Sequence, residues 1–315
     1  MLPLLISCGE PTKISYKVVD EYGTPIEGVK ITASFSTGGT YGLWRYTPYI
    51  KEGITDSEGM YIYKANVRGC GVCASFKKDG YYETSAAEIM LWDIRKFWNS
   101  QNNTPPVIIL LKNRVKPVPM YAKGTNPSFP KSNGNFGYDL VAGDFVHPYG
   151  TGKVADFIFH IKTTKENRGH VTYFDITFSN KTDGIQSFFV QYEKAPQYEL
   201  KSDRTAPLNG YLKSLKIADG DWQEIYKRPE YTKANRTWSS EVNYYFKVRS
   251  RQNGKAMYGK IYGFFRPLLY SDNGSANVEF TYYLNPDETN NLEFEKSLFY
   301  FTSSELGNNS VPRSP

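Results

Sequence analysis

The sequence predicts an all-β protein with two domains. Runs that alternate apolar and polar residues recur along the chain, as expected of strands that bury one face. Short segments rich in Gly, Pro, Asn and Asp separate these runs and predict turns. Aromatic residues, chiefly Tyr and Phe, make up 16% of the chain and favour strands. With 315 residues, of which 40% are hydrophobic, the chain is long enough for two domains that each bury a core.

The first β region begins near residue 13. The segment ISYKVVDEYGTPIEGVKITASF has a Gly/Pro turn between two alternating runs, which predicts a strand, a turn and a strand. The segment GITDSEGMYIYKANV has the same form, with Asp56 and Gly59 in its turn. A third segment, GVCASFKKDGYYE, ends in a turn at Asp79-Gly80. Together these segments predict a small antiparallel β domain.

The turn motifs resemble the carboxypeptidase regulatory-like domain. They follow the order V-D-x-x-G-x-P-I-x-G-V-x-I, then T-D-x-x-G-x-Y, then K-D-G-Y-Y. The matching residues are Val19, Asp20, Gly23, Pro25, Ile26, Gly28, Val29 and Ile31, then Thr55, Asp56, Gly59 and Tyr61, then Lys78–Tyr82. The resemblance covers residues 13–113. It implies a Greek-key β-sandwich of the transthyretin or immunoglobulin-like kind, a non-catalytic accessory module common in bacterial envelope proteins.

A second and larger domain is predicted over residues 114–302. The stretch KNRVKPVPMYAKGTNPSFPKSNGN is rich in Pro, Gly and Asn and marks the junction between the domains. Further strand-like runs follow, and Asn253-Gly254 lies between two of them as a hairpin turn. The segments KPVPMYAK, GYDLVAGDFVHPYGTGKVADFIF and YLNPDETNNLEFE resemble a domain that recurs in uncharacterised exported bacterial proteins. That resemblance brings no assigned activity. Residues 303–315 are predicted to be a disordered tail.

The N-terminus predicts export and lipid attachment. Leu5-Ile6-Ser7-Cys8 resembles the lipobox of bacterial lipoproteins, which implies that Cys8 is acylated and anchors the protein to a membrane outside the cytoplasm, in the periplasm or at the cell surface. Residues 1–12 would then form a truncated signal, the lipobox and a tether. A secretory signal has a positive n-region and an apolar core of about 7–15 residues. Only seven uncharged residues precede Cys8, so either the translation start lies upstream or the resemblance is accidental.

The charge distribution argues against a nucleic-acid partner. The net charge is +6 and the pI is about 8.9, but Lys and Arg are scattered singly rather than gathered into a basic stripe. No stretch of the sequence approaches the roughly 20 apolar residues that a membrane-spanning helix needs. We therefore expect the protein to contact the membrane through its N-terminal lipid.

Cys70 and Cys73 lie between strand-like runs. Neither a second Cys/His pair nor a following helix accompanies them, which argues against metal binding and against a redox motif. Residues three apart in a straight strand point to opposite faces and cannot be bridged. If Gly71 makes a turn, the geometry allows a local disulfide between them in an oxidising compartment. The alternative is a pair of structural thiols.

The loop GYDLVAGDFVHPYG is the candidate polar site of the second domain. In it, Asp144 is close enough in sequence to orient the imidazole of His147. The alternative is that its Asp and Gly residues only shape turns. The candidate residues are Tyr138, Asp139, Asp144, His147 and Tyr149.

Four tryptophans are candidates for stacking on a sugar ring or a protein partner. The alternative is that they pack on the cores. Trp222 also follows Asp219 and Asp221 in an acidic loop, although calcium loops usually offer more oxygen ligands. The four candidates are Trp44, Trp92, Trp98 and Trp222.

Signatures of catalysis and of cofactor binding are missing from the sequence. GTGKV at 150–154 lacks the upstream Gly and the hydroxyl residue of a phosphate-binding loop and precedes a strand. No G-x-S-x-G motif is present. His160, His170 and Asp175 would hold a metal only if a hairpin gathered them. We therefore expect no cofactor and no metal.

These observations predict a non-catalytic envelope lipoprotein that binds a glycan or a protein partner through its β domains. One alternative is a glycan-acting hydrolase with two catalytic carboxylates in the second domain. The other is a purely structural component of the envelope.

Overall fold

The computed structural model describes residues 11–37, 48–66, 69–86, 105–131, 133–166, 169–190, 197–220, 227, 242–269, 276–306 and 312. In these ranges the protein is essentially all-β, which confirms the predicted fold class. A four-residue helix, α1 (Ser303–Leu306), accompanies twenty strands within the described ranges. The described residues include no helix that is long and apolar enough to cross a membrane.

The described chain divides into two compact units. The first contains the described residues up to Val115 together with 197–199, and the second contains the rest. The division at Val115 falls within the predicted junction. Residues 197–199 were predicted to belong to the second domain, but the backbone of Gln197–Tyr198 pairs with Thr84 and Ser85 of the first unit.

The first unit is a β-sandwich. A three-stranded sheet has the order β4-β1-β7, and a five-stranded sheet has the order β14-β6-β5-β2-β3. Ile14 and Tyr16 of the first sheet share one apolar core with Ile31 and Phe76 of the second. The strands are β1 (Pro11–Val19), β2 (Lys30–Thr37), β3 (Pro48–Ile54), β4 (Met60–Asn66), β5 (Gly69–Lys77), β6 (Thr84–Ala86), β7 (Val107–Leu110) and, from later in the chain, β14 (Gln197–Tyr198).

The D-x-x-G motif builds the same turn twice in this unit. The carboxylates of Asp20 and Asp56 each accept the N–H groups of the residues two and four positions later, at 2.8–3.0 Å. Gly23 and Gly59 take the left-handed conformation that closes the turn, with φ of +80° and +68°. Short-range chemistry alone therefore explains these two turns.

The second unit is a larger sandwich of two mainly antiparallel sheets. One sheet has the order β10-β9-β11-β12-β15, and the other has the order β13-β16-β17-β19-β8-β20 with β18 also paired to β19. The strands are β8 (Val118–Thr125), β9 (Asn133–Asp139), β10 (Asp144–Phe145), β11 (Phe157–Glu166), β12 (Gly169–Thr177), β13 (Gly184–Phe189), β15 (Ser214–Gly220), β16 (Val242–Val248), β17 (Met257–Ile261), β18 (Arg266–Leu269), β19 (Ala276–Asn285) and β20 (Phe294–Phe299).

Aromatic rings fill the core between these two sheets. The ring of Phe157 lies edge-on to that of Phe246, with centroids 5.1 Å apart. Phe159 meets Phe280 in the same way at 5.8 Å. Aromatic pairs of this geometry contribute about 0.5–1.5 kcal/mol beyond the burial of their area. The Phe and Tyr content noted in the sequence thus forms the core of the larger unit.

Helix α1 occupies the start of the segment that the sequence analysis assigned to a tail. The hydroxyl and N–H of Thr302 both donate to the Glu305 carboxylate at 2.7 Å. This Thr-x-x-Glu arrangement is a capping box, which satisfies N–H groups at a helix start. Leu306 is buried in the aromatic core. The cap and this apolar anchor explain why α1 is ordered.

Candidate functional site

The predicted polar loop is organised by an arginine that is distant in sequence. Arg249 Nη2 donates to Asp139 Oδ1 at 2.7 Å. Its Nε and Nη2 atoms also donate to the two carboxylate oxygens of Asp156, at 2.7 and 2.8 Å. The side chain of Asp156 is fully buried and that of Arg249 is 23% exposed. The guanidinium therefore neutralises two carboxylates that the fold removes from water.

Backbone N–H groups also bind these carboxylates. Asp139 accepts the N–H groups of residues 141, 142, 153 and 154 at 2.9–3.2 Å. Burial opposes the ionisation of Asp139, but these N–H groups and Arg249 outweigh it and lower its pKa. Burial raises the pKa of Asp156, an effect that Arg249 and the Leu140 N–H oppose. With these oxygens occupied, Asp139 and Asp156 hold the loop together.

The other predicted members of this loop also have structural partners. Asp144 accepts the N–H and the hydroxyl of Thr151 at 2.9 and 3.0 Å, which closes the turn between them. Within the described residues Asp144 makes no hydrogen bond to His147, whose side chain is exposed. Tyr138 is buried in the core, and Tyr149 packs against a core phenylalanine. These contacts favour the alternative in which the loop residues shape turns.

A different polar site lies in the second unit, on the outer face of the sheet with the order β10-β9-β11-β12-β15. An open pocket of about 450 Å³ is formed there by β9, β11 and β12, and we call it the His160 pocket. Strand register places Asn135, His160, Asp175 and Lys216 in one row across four neighbouring strands. The residues that line the pocket are Asn133, Gly134, Asn135, His160, Ile161, Lys162, Thr163, Tyr173 and Asp175.

His160 is fixed at both ring nitrogens. Nδ1 lies 2.6 Å from Asn135 Oδ1, and Nε2 lies 2.7 Å from Thr177 Oγ1. Because an amide oxygen only accepts, Nδ1 donates to Asn135, while Nε2 shares its hydrogen bond with the Thr177 hydroxyl. Neither nitrogen is left over for proton transfer to a ligand. Because His160 contacts the amide oxygen of Asn135, the NH2 group of Asn135 is the end that can donate to a ligand in the pocket.

Asp175 carries unused hydrogen-bonding capacity. Its Oδ2 lies 3.9 Å from Lys216 Nζ, beyond hydrogen-bond distance, and its Oδ1 is buried without a hydrogen-bond partner. In the described part of the chain no donor reaches either oxygen. A carboxylate left in this state costs free energy, about 1–3 kcal/mol for a buried acceptor. The side chain is 23% exposed while Oδ1 is closed to solvent, so a ligand donor would reach the carboxylate through Oδ2.

The hairpin of β11 and β12 brings His160 next to Asp175 but places His170 further along. The backbone of His170 pairs with Lys165, five residue pairs along the hairpin from the His160–Asp175 pair. Among the described side chains no three of His, Cys, Asp and Glu are grouped as a metal site. Cys73 has a free, exposed thiol, while the side chain of Cys70 lies outside the described residues, so the disulfide stays a prediction.

Several other predicted residues lie outside the described part of the chain. They are Cys8, Trp44, Trp92, Trp98, Asp221 and Trp222, together with the side chains of His170 and Asp219. Lipid attachment and stacking by the tryptophans therefore stay predictions.

Sequence reasoning missed most of the His160 pocket. His160 and Asp175 were noted as metal candidates, but Asn133, Asn135 and Lys162 were not singled out. One signal was available, since His160 and Lys162 interrupt the apolar run of β11 at alternate positions, as polar residues on an outer face do.

Comparisons with known proteins do not place the chain in a family. No family model and no curated protein matches it. Among solved structures, a Streptococcal ancillary pilin is similar at 15% identity and a TM-score of 0.21, over 60% of this chain and 57% of the pilin. A protein from Bacteroides uniformis to which carbohydrate binding is attributed is similar at 12% identity and a TM-score of 0.17, over 85% of this chain and 96% of that one. Scores this low support no assignment.

Proposed function

We propose that this protein is a non-catalytic envelope protein that binds a neutral glycan in the His160 pocket. The observation that carries the proposal is Asp175, a pocket carboxylate that accepts no hydrogen bond among the described residues. A sugar hydroxyl would donate to Oδ2, because Oδ1 is closed to solvent. The amide of Asn135 and the hydroxyl of Thr163 supply the complementary groups.

Charges of both signs surround the pocket. Lys162 lines the pocket and Lys216 flanks it, which disfavours a cation. The negative charge of Asp175 disfavours a ligand whose carboxylate would lie next to it. A polyhydroxylated neutral molecule can donate to Asp175 and accept from the lysines and the amide without burying an unpaired charge. Sugars are the common biological molecules with this chemistry.

The pocket geometry favours binding over hydrolysis. Glycoside hydrolases place two carboxylates about 5–9.5 Å apart across the scissile bond. Among the described lining residues Asp175 is the single carboxylate. Asp139 and Asp156 are engaged by Arg249, and both nitrogens of His160 are engaged by neighbours. Within the described pocket, no group is therefore positioned as a second catalytic acid or base.

The envelope part of the proposal rests on the sequence. The lipobox-like Leu5–Cys8 supports lipid anchoring, and the resemblance of residues 13–113 to carboxypeptidase regulatory-like domains supports a spacer or interaction module. The test is mass spectrometry of the N-terminal peptide after expression of the native gene with its upstream sequence. An acylated Cys8 as the first residue is the expected result, whereas a cytoplasmic protein with an unprocessed Met1 would remove the envelope role.

Glycan binding is tested with the whole chain on an array of neutral and acidic oligosaccharides. We expect retention of neutral members, and about a tenfold loss of affinity for Asp175→Asn, because hydrogen bonds to a charged group contribute about 1.5–3 kcal/mol. The matched control is Asp203→Asn, since Asp203 contacts Tyr245 of the other sheet and lies outside the pocket. No retention of any glycan would refute the function, and equal losses in both variants would exclude the pocket.

A further inference from the structure

Both ring nitrogens of His160 face oxygen atoms that accept hydrogen bonds. Nδ1 lies 2.6 Å from Asn135 Oδ1, and Nε2 lies 2.7 Å from Thr177 Oγ1. The Thr177 hydroxyl also lies 3.4 Å from the backbone oxygen of Ile158. A hydroxyl has one hydrogen to donate, so it donates either to Nε2 or to the Ile158 oxygen. The protonation state of His160 therefore decides which of these two atoms receives it.

The surroundings of His160 satisfy its neutral and its protonated state without moving a side chain. In the neutral ring with its hydrogen on Nδ1, Nε2 accepts from the Thr177 hydroxyl. In the protonated ring both nitrogens donate, and the Thr177 hydroxyl turns to donate to the Ile158 oxygen. Histidine is the side chain that ordinarily changes its charge between about pH 5 and 8. A proton taken up by the ring thus changes the charge of the pocket and leaves its shape.

The charge of the described pocket lining depends on this proton. Besides His160, the charged residues among the described lining residues are Lys162 and Asp175, and their charges cancel at pH 7. The phenol of Tyr173 is the remaining titratable group of this lining. Asp175 pairs with His160 across β11 and β12, and Lys216 follows Asp175 in the same row on β15. The lining therefore has no net charge while His160 is neutral and one positive charge when it is protonated, and Lys216 adds a charge of the same sign at its edge.

We infer that His160 is a specificity-determining residue, and that its protonation adds acidic sugars to the neutral sugars that the pocket takes. The inference rests on the proposed function and adds the regulation of the same pocket by pH. With a neutral ring, the Asn135 amide and the Asp175 carboxylate bind sugar hydroxyl groups. With a protonated ring, the added positive charge attracts a sugar carboxylate, which lies towards Lys162 because Asp175 repels it.

The experiment repeats the glycan array with the whole chain at pH 5 and at pH 8, at one ionic strength. Each neutral oligosaccharide is paired with a counterpart in which one C6 hydroxymethyl group is a carboxylate. We expect the ratio of acidic to neutral affinity to be about fivefold higher at pH 5, as one added charge in a solvent-open pocket produces. If neutral glycans are retained and this ratio does not change with pH, the inference is overturned while the proposed function stands. If no glycan is retained at either pH, both fall.

The same substitution at two histidines locates the titrating group. His160→Gln removes the charge, and its ratio of acidic to neutral affinity should be the same at both pH values. This ratio cancels any general weakening of the pocket. His147→Gln is the matched control, because the exposed side chain of His147 lies outside the pocket, and it should keep the fivefold change. A ratio that still depends on pH in His160→Gln, or that no longer does in His147→Gln, would overturn the inference.

The ring nitrogens of His160 also report the proton directly. Their chemical shifts are followed by NMR in the 15N-labelled whole chain without a ligand, and circular dichroism verifies that both variants fold. We expect the ring to take up a proton between pH 8 and pH 5 and to keep both of its hydrogen bonds. A ring that stays neutral throughout this range would overturn the inference even if His160→Gln did not fold.

Discussion

Replacing Arg249 with methionine would leave two buried carboxylates without their shared countercharge. The side chains of Asp139 and Asp156 are 6% and 0% exposed, so water cannot replace the guanidinium. Breaking a buried ion pair by removing one partner costs about 3–5 kcal/mol. The Arg249 side chain is 23% exposed. We therefore expect a loss in the free energy of unfolding at the lower end of this range, about 3 kcal/mol at pH 7.

Arg251→Met is the matched control. Arg251 lies two residues away and pairs with Glu288 at 3.0 Å, but its side chain is 63% exposed. Exposed pairs of this kind contribute about 0–1 kcal/mol. Arg249 has a left-handed backbone with φ of 54°, and methionine retains the Cβ atom, so the backbone strain is the same before and after substitution. The comparison therefore isolates the buried charges.

The pH dependence tests the cause of the loss. The folded-state pKa of Asp139 is lowered, so its contribution to stability is present above the unfolded pKa and is lost as the pH falls through the folded value. In Arg249→Met both carboxylates lose their partner, and protonation then removes the uncompensated charge. We expect the difference from wild type to shrink from about 3 kcal/mol at pH 7 to about 1 kcal/mol near pH 3.

Urea denaturation followed by far-UV circular dichroism measures the free energy of unfolding at each pH. Hydrogen exchange of peptides that span residues 139–156 shows whether the loss lies in this loop, because the N–H groups of Lys153 and Val154 donate to Asp139. A loss in Arg249→Met no larger than that in Arg251→Met would refute the assignment of Arg249 as the countercharge. A loss that does not change with pH would refute the electrostatic cause.

Three further predictions concern stability. Gly59→Ala should cost at least 1 kcal/mol more than Gly23→Ala in urea denaturation, because both have positive φ but only at Gly59 would the new Cβ meet Val18 O, at 2.4 Å; equal losses would contradict this steric explanation. Thr302→Ala should cost about 0.5–1 kcal/mol and speed hydrogen exchange in α1 through loss of the cap, and unchanged exchange would contradict that role. Asp175→Asn should change the melting temperature little or raise it, because Asp175 accepts no hydrogen bond among the described residues; a large decrease would reveal a structural role.

The sequence was sufficient for those parts of the fold that depend on neighbouring residues. Alternation of apolar and polar residues predicted strands such as β1 and β12, because side chains of a strand point to opposite faces in turn. The turns at Asp20 and Asp56 followed from side-chain oxygens that bind N–H groups two and four positions away. The short cap of α1 was also local, and the Thr-x-x-Glu pattern could have revealed it.

The candidate site depended on contacts between distant parts of the chain. Asp139 was singled out from its loop, but its role became clear only through Arg249, which is 110 positions later. The row that includes the His160 pocket and the flanking Lys216 joins residues 135, 160, 175 and 216 because four strands pair in one register. A shift of that register by one residue would turn each side chain to the other face. The sequence alone therefore determined the all-β character and the local turns, whereas the tertiary structure decided which polar groups meet, since pairing between strands is not encoded in any short segment.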